Sequence, residues 1–283
     1  MSLLTTLACG KGGDQPEAMA MGQSQQLDVS VRKDIAYVEN GGPDQTYDIY
    51  APTANPTVSP PLLVFVHGGA WQSGDKRDYA ALGNAFANAG IVSAVVNYRL
   101  SPTVQHPAHV EDVALALGHL AKYAQGYDPK RIFVMGHSAG AHVCGLLAAM
   151  PKLLEKAGMT KDQLPKGFIG LEGIYDIQNL IKVWPTYRNW FIEKAFGKDD
   201  KWAAASPTRL PIELKSRWLL VHAKGDELVD MAQTKDFMNH LSKAGVELDS
   251  HDPGQLSHDG VVRAYSDPKS DLFKKAVAFV TFK

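Results

Sequence analysis

From residue 62 to residue 250 the chain alternates short apolar runs with stretches whose apolar positions recur at helical spacing, and few folds accommodate that alternation. Leu62-Leu63-Val64-Phe65-Val66, Ile91 to Val96, Arg131 to Met135, Phe168 to Gly173 and Trp218 to Val221 read as buried strands, with Val246 to Ser250 as a weaker one. Between and after them, Tyr79, Leu82 and Phe86 mark one helix face, and Val110, Val113, Leu117 and Leu120 mark a second. Phe237 and Leu241 do so within Met231 to Ala244, and Phe273, Val277 and Val280 within Ser270 to Phe282. Strands that are apolar throughout, separated by amphipathic helices, imply an α/β fold: a mostly parallel sheet covered on both faces. Upstream, Leu27 to Glu39 and Tyr47 to Tyr50 flank the turn Asn40-Gly41-Gly42-Pro43 and predict an antiparallel hairpin. A proline-rich connection, Ala51 to Pro61, leads from it into the parallel strands.

The first residues stand apart from this pattern. Ser2 to Ala8 is a short apolar stretch before Cys9, and a polar run follows to about Gln26. Two readings apply to residues 1–26: the end of a lipoprotein-type signal with its tether, or a disordered terminus. The first would export and anchor the protein and the second would leave it cytoplasmic. Residues 27–283 then form one domain, of a size that α/β folds often reach as a single unit. The 283 residues are 45% hydrophobic with a formal net charge of −1, and the basic residues are scattered, so nothing suggests a nucleic-acid partner. A small molecule is the expected partner, and oligomeric state is not legible. Cys144 falls inside a buried helical stretch and Cys9 in the tail, so no disulfide is expected. No apolar run approaches the length needed to cross a bilayer.

One strand-to-helix junction carries a chemical signature. Gly136-His137-Ser138-Ala139-Gly140 follows an apolar strand and precedes an apolar helix, which is the setting of a nucleophile elbow. Ser138 would be presented on a tight turn, with glycines where side chains would collide. A serine hydroxyl needs a base, a group orienting the base, and donors for the oxyanion. An acid and then a histidine should follow, each in a loop at the carboxyl edge of the sheet. Asp226 comes soonest after the strand Trp218 to Val221, within a turn opened by Gly225; Glu227 and Asp230 are its rivals. His258 lies in a loop beyond the weak last strand, with His251 as the alternative. Backbone donors are expected at Ala139 and in His67-Gly68-Gly69-Ala70-Trp71, the loop after Leu62 to Val66, from Gly68 and Gly69. Two roles are open to Trp71, lining the pocket or anchoring that loop, and His67 reads as a brace. An unshifted imidazole would lose its function as base as pH falls through roughly 6 to 7.

Between Ile177 and Leu210 the alternation breaks, and Trp184, Tyr187, Trp190, Phe191, Phe196 and Trp202 accumulate. Packing of a helix against its neighbours explains most such clusters; a small lid walling a substrate pocket is the functional alternative. The expected pocket residues are Trp71, Tyr175, Trp184 and Trp190. Neither Gly10-Lys11-Gly12-Gly13, which follows no strand, nor His106-Pro107-Ala108-His109, whose proline opposes helical ligand spacing, makes a convincing phosphate or metal motif. No cofactor and no metal are expected.

Taken together, Val66 to Trp71, Asn97-Tyr98-Arg99-Leu100-Ser101-Pro102, Gly136 to Gly140, Gly173-Ile174-Tyr175-Asp176 and the Asp226 and His258 loops resemble the α/β-hydrolase superfamily. The nearest branch is that of carboxylesterases with a His-Gly-Gly motif, which includes hormone-sensitive-lipase-like esterases, kynurenine formamidases and prenylcysteine methylesterases. The resemblance covers roughly Asp34 to the C-terminus. It implies an α/β-hydrolase fold with a lid insertion at 177–210 and a catalytic triad of Ser138, Asp226 and His258. It also implies Gly68, Gly69 and Ala139 as oxyanion donors. Ala70-Trp71 replaces the third glycine of lipase-like members, and the resulting His-Gly-Gly-x-Trp is similar to formamidases and small-ester esterases. The implied activity is hydrolysis of small or medium carboxylic esters, with aryl formamide hydrolysis as the alternative and a non-catalytic binding scaffold as a third reading.

Overall fold

The computed structural model describes residues 28–53 and 58–282. Residues 1–26, with Cys9 and the two readings of that tail, lie outside the described residues. Eight strands form one sheet: β1 (Val29–Ala36), β2 (Thr46–Pro52), β3 (Leu62–Val66), β4 (Val92–Val96), β5 (Ile132–His137), β6 (Gly167–Leu171), β7 (Arg217–Val221) and β8 (Leu248–His251). Their order is β1-β2-β4-β3-β5-β6-β7-β8. β1 and β2 are the expected antiparallel hairpin, β2 runs antiparallel to β4, and every remaining pair is parallel.

The helices are α1 (Ala80–Asn88), α2 (Ala108–Lys122), α3 (Ala139–Ala149), α4 (Lys152–Lys156), α5 (Ile177–Val183), α6 (Glu193–Phe196), α7 (Met231–Lys243), α8 (His258–Ala264) and α9 (Asp271–Thr281). Successive strand residues divide between two layers, because side chains alternate across a sheet. Leu62, Val64 and Val66 join Val113, Leu117 and Leu147 on one face. Leu63 and Phe65 join Phe86, Val261 and Phe273 on the other. Both faces are covered, which explains why these strands are apolar at every position.

The connections determine where a site can form. From β3 the chain passes through α1 to β4 on one side, then crosses by α2 to β5 on the other side of β3. α1 and α3 consequently pack on opposite faces, and the loops leaving β3 and β5 part at the carboxyl edge of the sheet. Such a switch point is where open α/β sheets gather ligands.

Three local features differ from the sequence expectation, each for a backbone reason. β6 stops at Leu171, short of Gly173, because Glu172 takes a left-handed conformation with φ of 52°. β8 begins at Leu248 rather than Val246, since the Val246 amide donates to the Leu241 carbonyl and closes α7 behind Gly245, whose φ is 73°. His258 opens α8 instead of lying in a loop, with the Ser257 hydroxyl accepting the Gly260 amide as the cap.

Residues 177–210 fold into α5, a single π turn over Arg188–Ile192, α6 and short 3-10 turns. Tyr187, Phe191, Ile192, Phe196 and Trp202 gather there on Trp71 and Ala139, forming a third apolar cluster apart from the two sheet layers. Asp176 ties both ends of the segment together. Its carboxylate caps α5 through the Asn179 amide and pairs with Arg209 at 2.9 Å.

Close packing at the β5–α3 turn generates a stability test. A Cβ at Gly140 would stand 2.1 Å from the Val66 carbonyl oxygen, whereas one at Gly42 would meet nothing within 4 Å. Gly140→Ala is expected to cost about 3 kcal/mol in chemical denaturation. Gly42→Ala should stay within about 0.5 kcal/mol of the parent. Equal costs would contradict the packing described.

Candidate active site

Ser138 sits between β5 and α3 with φ of 54° and ψ of −116°, a conformation that costs a non-glycine residue about 1–3 kcal/mol. The surroundings hold it there. Its amide donates to the Leu171 carbonyl at 2.8 Å, and its carbonyl accepts the His142 amide at 3.1 Å. Gly136 and Gly140 are required by this geometry, since a Cβ on Gly136 would lie 2.3 Å from the Gly140 carbonyl oxygen.

The loop after β3 runs hard against the serine; a Cβ on Gly68 would be 3.2 Å from the Cβ of Ser138. Three left-handed residues follow in succession, with φ of 109° at Gly69, 53° at Ala70 and 57° at Trp71. The Gly69 carbonyl is occupied by the amides of Gln72 and Ser73, at 3.0 Å each. Among the described residues the amides of Gly68, Gly69, Ala70 and Ala139 have no backbone acceptor, and that of Gly68 faces the Tyr79 hydroxyl. Two backbone segments thus bring uncommitted donors to the neighbourhood of one hydroxyl. His67 braces the loop, with its Nδ1 donating to the Gly68 carbonyl at 2.7 Å and its ring stacked on Tyr98.

His258 opens onto the same cavity as Ser138, a space of about 590 Å³. Its Nδ1 donates to Asp226 Oδ2 at 2.8 Å, which leaves Nε2 as the nitrogen available to the serine side. Asp226 is itself fixed, because its Oδ1 accepts the amides of Leu228 and Val229 at 2.8 and 2.9 Å. The structure thus brings Ser138, His258 and Asp226 together at one edge from loops far apart in sequence. The alternatives serve elsewhere. Glu227 accepts the backbone amide of His258, Asp230 caps α7, and the His251 carbonyl accepts the His222 amide.

A further acid stands in this cluster that sequence reasoning passed over. Glu172 is fully buried directly after β6, with Oε1 accepting the Ala223 amide at 2.9 Å and Oε2 3.2 Å from His258 Nδ1. The available signal was an acidic residue immediately following a buried parallel strand, the same argument that selects Asp226. These groups shift one another. Burial disfavours charge on His258, but the hydrogen bond to Asp226 and the nearby Glu172 outweigh it and raise the imidazole to about 9. Burial pushes Glu172 up to about 8. Burial would also raise Asp226, yet hydrogen bonds from His258 and Glu172 hold it below the usual carboxylate range. His137, whose Nε2 donates to the His258 carbonyl, is kept neutral by burial, which lowers it to about 3.

Of the four aromatic residues expected around the pocket, Trp190 alone lines the cavity. Trp71 is fully buried, packed edge-on against Phe196 and His142, and so anchors the loop after β3. Tyr175 is buried against Phe237, with ring centroids 4.0 Å apart, because Gly170 and Gly173 leave room for its ring inside the fold. Trp184 stacks on Tyr187 behind the wall. The apolar lining comes instead from Ile174, Tyr187, Trp190, Phe191, Leu228 and Val229. Asp78 and Asp259 also face the space, and among the described residues no lysine or arginine does. In His106-Pro107-Ala108-His109, His109 bonds Ser101 Oγ at 3.0 Å and His106 packs on Phe196.

This sheet order and this carboxyl-edge site define the α/β-hydrolase class of fold, and the chain is a member of that class. It belongs to the BD-FAE family, whose model matches residues 47–241, a span that includes Ser138 and Asp226 and ends before His258. Among curated relatives, the kynurenine formamidase of Meyerozyma guilliermondii is 31% identical over 222 residues, covering 73% of this chain and 81% of the relative. The isoprenylcysteine alpha-carbonyl methylesterase ICME of Arabidopsis thaliana is 29% identical, covering 88% of this chain and 61% of the relative's length. Esterase B from Lactobacillus rhamnosis superposes with a TM-score of 0.78 at 18% identity, covering 90% of this chain and 87% of that one, and shows the shared fold.

The raised imidazole corrects the pH dependence expected of an unshifted histidine. A base must be neutral to accept a proton, so kcat/KM should climb as pH rises through the raised value, with its acid limb centred above pH 7. The measurement is kcat/KM for a short-chain ester between pH 5 and 10; a midpoint at or below about 6.5 would contradict the environment described for His258.

Proposed function

We propose that Ser138, His258 and Asp226 form the catalytic triad of this hydrolase, and that it cleaves small or medium carboxylic esters through an acyl-enzyme. The observation that carries the reading is the 2.8 Å bond from His258 Nδ1 to Asp226, made by a histidine that shares its cavity with the strained Ser138. In acylation, His258 Nε2 takes the Ser138 proton as Oγ attacks the ester carbonyl. The carbonyl oxygen becomes negative and is met by the amide of Ala139 and those of Gly68 and Gly69. Each such donor is worth about 3 kcal/mol in a transition state of this kind. His258 then returns the proton to the departing alcohol, and a water molecule repeats the sequence on the acyl group to regenerate Ser138.

Residues 177–210 supply much of the apolar wall, through Tyr187, Trp190 and Phe191, and act as the lid insertion of a domain spanning 27–283. A volume of about 590 Å³ suits a small or medium substrate. Amide hydrolysis by the same residues is the second reading, favoured by the similarity to a kynurenine formamidase. The lining argues for the ester: formylkynurenine carries an amino-acid carboxylate, and no lysine or arginine among the described lining residues would receive it.

Two measurements test this. Ser138→Ala should lower kcat on p-nitrophenyl acetate by about 10⁵-fold or more with an unchanged melting temperature. Comparable turnover by the variant would remove Ser138 as nucleophile. Across short-chain esters, aromatic esters and N-formylkynurenine, kcat/KM should be highest for an ester; a higher value for the formamide would establish the second reading.

A further inference from the structure

Glu172 is not needed by a three-residue triad, and its setting is unusual for a bystander. It is fully buried, it occupies a left-handed backbone conformation at the end of β6, and its Oε1 is fixed by the Ala223 amide. Its Oε2 lies 3.2 Å from His258 Nδ1 but off the N–H direction, which points at Asp226, and it accepts no hydrogen bond, so that a proton on this carboxyl is given to Asp226. One atom each of Glu172, Asp226 and His258 lie within 4.8 Å of one another. Two carboxyls this close, with a single imidazole as their basic neighbour of any strength, do not both ionise readily. Asp226 accepts two amides and the His258 N–H, Glu172 a single amide, so the shared proton belongs on Glu172.

Resting on the triad reading above, we propose that Glu172 is a second, proton-holding acid of the site: neutral while Asp226 is ionised, and able to orient His258 when Asp226 loses its charge. In the resting site the Glu172 carboxyl, carrying its proton, keeps the net charge of the acid pair at one. If Asp226 becomes Asn, Glu172 releases that proton to solvent, and the resulting carboxylate Oε2 accepts the Nδ1–H, so His258 keeps the tautomer that presents Nε2 to Ser138. The upward shift of Glu172 by burial agrees with this arrangement. Other titratable groups face the cluster from each packed element. His137 comes from β5, its ring 4.6 Å from that of His258. His222 follows β7, with Nε2 3.5 Å from Asp226. Glu227 bonds the His258 amide. Tyr187 bonds the Leu228 carbonyl from the lid segment, and Asp259 is the next residue of α8. His137 and His222 are held toward neutrality by burial and supply no competing charge.

The test is a double-mutant cycle of Asp226→Asn and Glu172→Gln, with Ser138→Ala as control, read as kcat/KM and its pH dependence. In a site with one acid, Asp→Asn costs about 10⁴-fold. Here Asp226→Asn alone should cost less than about 10³-fold, and at least ten times more when Glu172→Gln is already present. Glu172→Gln alone, which preserves the bond to the Ala223 amide and replaces one neutral side chain by another, should leave the acid limb of the profile in place. Equal Asp226→Asn costs in the two backgrounds would overturn the proposal, wherever the acid limb lies. Should Glu172→Gln fail to fold, a loss near 10⁴-fold for Asp226→Asn alone would overturn it. Activity surviving in Ser138→Ala would instead refute the triad reading itself, which keeps the two failures distinguishable.

Discussion

The contact between the Gly140 Cα and the Val66 carbonyl is the steric constraint on which the rest of the site depends. β5 must turn into α3 within a space that has no room for a side chain at Gly136 or Gly140, and that turn forces Ser138 to a φ of 54°. The strain is sustained because the neighbours over-determine it: the Leu171 carbonyl fixes the Ser138 amide, and buried strands on either side of β5 fix its position. A backbone cost of about 1–3 kcal/mol is small beside the burial of the strands that meet there. Its return is a hydroxyl and an adjacent amide held at the switch point of the sheet, beside a second loop whose amides are also uncommitted.

Charge is the second constraint. The side chains of Asp226, His258 and Glu172 are buried, and among the described residues no lysine or arginine pairs with them. His258 must offset the Asp226 carboxylate, with the Glu172 carboxyl beside it, and its affinity for a proton rises accordingly. The same feature that orients the base makes it reluctant to be neutral, which links the placement of two carboxyls to the pH range in which the enzyme works. Trp71 joins this region to the lid segment: it is fully buried between the loop after β3 and Phe196, so the aromatic residues of 177–210 and the backbone donors share one packed cluster.

Much of this was legible in the sequence because its causes are local. The alternation of runs such as Leu62–Val66 with helical stripes follows from a sheet covered on both faces, and Gly136 to Gly140 encodes its own turn. Asp226 and His258 could be chosen by chain order and loop position, and the structure brings them to the same edge as Ser138. What sequence missed depended on long-range packing. Tyr175 and Trp71 are aromatic and adjacent to the site in sequence, yet their rings turn inward because Gly170, Gly173 and the lid aromatics make space for them there. Glu172 was hidden for the opposite reason: it lies 54 to 86 residues from its partners, and only the lateral order β5-β6-β7 reveals that they meet.

The central claim is that one hydroxyl, two sets of backbone donors and one imidazole converge on a single carbonyl. A crystal structure of the protein inactivated by a fluorophosphonate tests it most directly. The expected adduct joins phosphorus to Ser138 Oγ, with the phosphoryl oxygen within hydrogen-bond reach of the Ala139 amide and of an amide from Gly68 or Gly69, and His258 Nε2 facing Oγ. An adduct on another residue, or a phosphoryl oxygen directed away from both loops, would contradict it.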